Sequence, residues 1–72
     1  MGKKLRKRAL VTVRKRFMTE LGSQPFAEDL PLVFLGEIAN MPDHGVFIGH
    51  KSGRIYSGFH VFQFRELRPD ET

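Results

Sequence analysis

Apolar residues along the chain recur mostly with the two-residue period of half-buried strands. Between residues 9 and 17 the pattern supports two readings. As a strand, Ala9, Val11 and Val13 point one way while Leu10, Thr12, Arg14 and Arg16 point the other, and the branched Val-Thr-Val run suits a pleated surface. As a helix, Leu10, Val13, Phe17 and Leu21 fall on one face, with Gly22 at its end. The helix would place Lys3 and Lys4 at the positive end of its dipole, so the strand is preferred.

Residues 22–31 form a connector in which Pro25-Phe26-Ala27-Glu28-Asp29 fits one helical turn, capped by Ser23 or Gln24 and ended by Pro31. Leu32–Ala39 then reads as a strand, apolar on both faces at first and therefore central. Asn40–Gly45 has the chemistry of a turn. Val46–Lys51 and Arg54–Phe59 flank Ser52-Gly53, which fits a two-residue hairpin loop. That register pairs Phe47 with Gly58 and Gly49 with Tyr56. It gives a core face of Val46, Ile48, Ile55 and Phe59, and an opposite face of Phe47, Lys51, Arg54, Tyr56 and His60. Val61, Phe62, Phe64 and Leu67 make a last apolar segment.

These segments predict a mostly all-β chain of four to five short strands. A long connector after the first strand, a central hairpin and a brief last strand give a spacing that resembles SH3-like barrels, without any family motif. The resemblance implies a small barrel over residues 9–68, preceded by a flexible basic arm over 1–8 and followed by a polar tail over 69–72. The alternative is an α+β fold with an N-terminal amphipathic helix.

Composition narrows the fold. Seventy-two residues suffice for one small domain, and with no cysteine its stability must come from apolar packing, chiefly from seven phenylalanines. No apolar run reaches the length of a membrane span, and Ala9–Val13 is too short for the core of a secretion signal. A cytoplasmic setting is the expectation. The run Lys3-Lys4-Leu5-Arg6-Lys7-Arg8 would equally serve as a nuclear-import address in a eukaryote.

Charge is the main functional signal. Residues 1–16 hold eight cations (Lys3, Lys4, Arg6, Lys7, Arg8, Arg14, Lys15 and Arg16) and no acid, whereas residues 17–72 hold four basic and eight acidic residues. A cationic end on a faintly acidic body points to a polyanion, with nucleic acid favoured over a protein partner. Phe47 and Tyr56 beside Lys51 and Arg54 resemble the stacking-plus-charge surface that holds single strands, although packing in the core is the preferred role for the two rings. The candidate contacts are therefore the eight cations together with Phe47, Lys51, Arg54 and Tyr56.

Catalysis is not expected. The hydroxyls lie in no nucleophile motif, the glycines are scattered singly, and the chain is too small for a large pocket. No cofactor is expected either. In the hairpin register His60 falls near His44, with Asp43 adjacent, but an ordinary turn and strand explain these residues better than a metal site. The alternative function is a protein-interaction module or accessory subunit, motivated by the acidic body and by Phe26, Leu30 and Phe62 as exposed apolar residues.

Overall fold

A computed structural model describes residues 5–71. Its strands are β1 (Leu10–Val13), β2 (Leu32–Ile38), β3 (Met41–Gly49), β4 (Ile55–His60) and β5 (Phe64–Glu66). They form one antiparallel sheet in the order β4-β3-β2-β1-β5. The sheet is not closed into a barrel: β4 and β5 are its two edges.

The Val-Thr-Val run is β1, as its branched side chains favour, with Val11 and Val13 buried. The competing amphipathic helix is confined to the stretch after it. A 3₁₀ turn over Lys15–Phe17 leads into the single short helix α1 (Met18–Leu21), which stops at Gly22 and buries only Leu21. The turn at Pro25–Asp29 forms as 3₁₀ helix with proline at its start, and it drives Phe26 fully into the core. Phe26 is therefore not an exposed residue, and Leu30 also packs against the core. The Leu30–Pro31 peptide is cis. β2 lies between β1 and β3, the central place its apolar start requires.

Two sequence expectations are overturned by the pairing of β3. The turn expected at Asn40–Gly45 shrinks to Ala39-Asn40, because Met41 already pairs with Ile38 and β3 begins there. The hairpin is also shifted. Phe47 pairs with Tyr56 and Ile48 with Ile55. The Gly49 N–H donates to Arg54 O and the Gly53 N–H to Gly49 O, so the loop spans residues 50–53. A bulge at Gly58, with φ 86°, then brings Phe59 opposite Gly45.

The faces follow from the new register. Phe47 is fully buried, with Gly45 and Gly49 on the same face, while Ile55 on the other face is 67% exposed. The reason is room. A methyl group at Gly45 would come within 2.7 Å of Phe34 and 2.8 Å of Val61, so only glycine lets these side chains close over the strand. Phe47 then stacks on Phe64 at 4.4 Å and meets Phe34 at 5.4 Å. Phe26 contacts Phe59 edge-on at 4.7 Å, and Leu32, Val11, Val13 and Leu21 complete the core. Each buried ring of this kind contributes about 1.5–3 kcal/mol.

Candidate nucleic-acid interface

The predicted contacts separate into three places, beginning with the arm. Lys3 and Lys4 lie outside the described residues. Residues 5–9 run along the sheet: Leu5 packs against the core, the Arg8 N–H donates to Phe34 O at 2.6 Å, and the Phe34 N–H returns to Ala9 O at 3.0 Å. Arg6 is already engaged. Its backbone N–H and its guanidinium both donate to the Glu66 carboxylate, at 2.7 Å and at 2.9–3.3 Å. The Lys7 stem approaches Gly36, where an added side chain would meet Cε at 3.4 Å.

Of the two roles open to the hairpin rings, the preferred one, packing in the core, is the one they take, and the alternative stacking surface does not form. Phe47 has no exposed area with which to stack a base. Tyr56 is half-buried against Phe26, and its hydroxyl donates to the Asp29 carboxylate. The Ser52 hydroxyl donates to the same carboxylate at 2.6 Å. These two hydroxyls, with lesser help from Arg54 and Lys51, hold the Asp29 carboxyl below its ordinary range, and Asp29 in turn raises the Tyr56 phenol. Lys51 and Arg54 therefore stand beside an anion of the protein itself. The group is a latch tying the Pro25–Asp29 turn to the hairpin loop.

The third place brings together charge and rings. At the end of β1 the backbone turns, and the Arg14 N–H donates to Gln63 O at 2.8 Å while its Nε donates to Phe62 O at 2.9 Å. These bonds fix the 3₁₀ turn Lys15–Phe17 against the turn Val61–Gln63, which connects β4 to β5. Phe17 meets Phe62 edge-on at 5.7 Å, Phe62 lies 5.1 Å from His60, and His60 lies 4.1 Å from His44. The Arg16 guanidinium sits 4.8 Å from the centre of the Phe17 ring. Phe62 is 52% exposed at the middle of this file, and Lys15 and Arg16 are exposed at its head. Among the described residues, Lys7, Arg8, Arg14, Lys15 and Arg16 have no carboxylate within ion-pair distance.

Sequence reasoning found three of these residues, Arg14, Lys15 and Arg16, and missed their aromatic partners. Phe17, His44, His60 and Phe62 are scattered over 46 positions, and only the sheet order gathers them. The closeness of His44 and His60 was legible, since both registers place them together across β3 and β4. Asp43 does not join them: among the described residues no three His, Asp or Glu side chains come together as a metal site. Nor is any helix among the described residues long and apolar enough to cross a membrane.

Comparison of the chain with protein-family models, with curated proteins and with solved structures returns no match.

Proposed function

We propose that this protein is a small non-enzymatic module that binds single-stranded nucleic acid on the surface formed by Arg14, Lys15, Arg16, Phe17, Phe62 and His60. The observation that carries the reading is the exposed Phe62 ring in line with Phe17 and His60, beside cations that no carboxylate of the described chain neutralises. Aromatic rings give bases a stacking surface, and unpaired Lys and Arg attract the backbone through counterion release. Lys7 and Arg8 add charge along the path of the arm.

The same reading takes in the finer fold. The order β4-β3-β2-β1-β5, with a 3₁₀ turn just before β5, is consistent with an SH3-like arrangement left open between its edges. With single strands as the ligand, the setting is the cytoplasm, or the nucleus in a eukaryote.

Fluorescence anisotropy against an oligothymidylate, across a range of salt, tests the reading. Neutralisation of about five phosphates gives a slope of log K on log salt near about −3.5 for a single strand. A flat salt response refutes it.

A second reading has its own observation. Leu10, Val33, Ile48 and Ile55 are successive cross-strand neighbours, so an apolar row crosses four strands on the outer face and ends at the open edge β4. That edge would accept an added strand from a protein partner. Complex formation that persists at high salt, and without residues 2–8, favours this reading over the first.

A further inference from the structure

The far end of the aromatic file carries an inference that rests on the nucleic-acid reading and extends it. His44 and His60 are direct cross-strand partners with ring centroids 4.1 Å apart and planes inclined at 44°. The Nδ1 atom of each is buried without a hydrogen-bond partner. Buried polar atoms are nearly always paired, so two orphans on touching rings require an explanation.

The surroundings supply no internal partner. On β3, Asp43 precedes His44 and is exposed, and on β2 Glu37 lies opposite Gly45 and is also exposed. Neither carboxylate is within ion-pair distance of an imidazole. From the segment after β4 come Phe62, 5.1 Å from His60, and the neutral Gln63. The end of β1 contributes only cations, with Arg14 bound to Phe62 O and Arg16 on Phe17. Imidazoles as a class change charge between about pH 5 and 8. No carboxylate of the described chain stands beside the pair to partner a charge on it.

We propose that His44 and His60 form a proton-linked phosphate contact, so that a single strand lying along Phe17 and Phe62 places one backbone phosphate on this pair. A protonated ring donates a charge-assisted hydrogen bond to a phosphate oxygen from Nε2, since the Nδ1 side of each ring is closed off from any ligand. The phosphate supplies the anion that the described chain does not place beside the pair. The coupling is reciprocal: binding draws a proton onto the pair, and lowering the pH tightens binding. The phosphodiesters and bases of oligothymidylate keep their charge throughout this range, so the part of the pH response that is lost when His44 or His60 is replaced belongs to the pair.

The experiment is anisotropy with oligothymidylate carrying a pH-insensitive fluorophore, at constant ionic strength, from about pH 8 to about pH 5.5. A proton–ligand coupling of about one pH unit raises affinity by about tenfold across that window. His44→Gln and His60→Gln each flatten the rise, read as the ratio of affinities at the two ends of the pH window so that a uniform loss of binding does not count as flattening. NMR titration of the imidazole C–H signals gives a readout on the unmodified chain. Adding the oligonucleotide moves the midpoints of His44 and His60 upward and leaves His50, on the hairpin loop, in place. Salt-sensitive binding that is flat in pH overturns the phosphate contact and leaves the nucleic-acid reading standing, as does a shift of all three histidines alike. Absence of salt-sensitive binding at every pH overturns both.

Discussion

Replacing Phe47 by alanine tests the register on which every surface assignment depends. Phe47 is fully buried, stacked on Phe64 at 4.4 Å and in contact with Phe34 at 5.4 Å. Truncating such a ring removes its transfer free energy and leaves a cavity, at a combined cost of about 3–5 kcal/mol. A 72-residue domain has a total stability of about 4–11 kcal/mol. The variant therefore loses between a third and all of its stability. With a urea slope of about 1 kcal/mol per molar, its midpoint falls by about 3 M, or no folded baseline remains. Ile55→Ala is the control. Its side chain is 67% exposed, so truncation costs under about 1 kcal/mol. In the register with a two-residue loop the two results exchange places, since Ile55 would be core and Phe47 surface. Urea denaturation followed by far-UV circular dichroism measures both. A Phe47→Ala midpoint close to native, with Ile55→Ala collapsed, refutes the pairing of Phe47 with Tyr56 and the face assignments built on it.

Phe62→Ala should do the reverse of Phe47→Ala. The ring is 52% exposed, so stability changes little, while the loss of one stacking platform costs about 1–3 kcal/mol of single-strand affinity, measured by anisotropy with duplex as comparison. The C-terminal turn makes the protein sensitive to acid. Arg65 and the Arg68 N–H hold the Glu71 carboxyl down to about 2 from 4.5. A depressed carboxyl stabilises the fold above its unfolded value, and that contribution disappears as pH falls from about 4.5 toward 2. Asp29 acts in the same direction, whereas the raised Tyr56 phenol contributes below pH 10 and loses its contribution above it. Thermal melts from neutral pH to pH 2 should show the acid loss, and Glu71→Gln should remove part of it. An unchanged acid profile in that variant refutes the role given to Glu71.

What the sequence made legible follows from which forces were local. The Val-Thr-Val strand, the proline-led turn at Pro25 and the central strand from Leu32 are set by short-range preference and pattern and form in outline, although β1 stops at Val13, short of Arg14 and Arg16, and the turn has no side-chain cap at Gln24. The hairpin failed because Ser52-Gly53 has good two-residue turn chemistry, but the pairing was settled by the core. Four aromatic rings, Phe34, Phe47, Tyr56 and Phe64, share one face; Gly45 clears it for Phe34 and Phe47, and Gly49 makes room for Asp29 and Ser52. The alternation of glycine and phenylalanine at 45, 47 and 49 was the available signal. It marks a face where large rings cross a strand as readily as one where ligands lie flat.

The same argument explains why the candidate site was only half visible. Cations cluster in sequence because residues 3–16 are contiguous, so a charge count finds them. The rings that would make them selective for unpaired bases come from the end of β1, the start of β3 and the segment after β4, and no local pattern links these. The fold also sorts the charge. Glu66 on β5 takes up Arg6, whereas the end of β1 leaves Arg14, Lys15 and Arg16 without a carboxylate beside an exposed phenylalanine. A patch serving solubility alone would have no need of Phe62 at its centre, since an exposed ring there invites association. On the proposed reading, charge and stacking surface placed together at one end of the sheet suit a single strand, which offers phosphates and unpaired bases together.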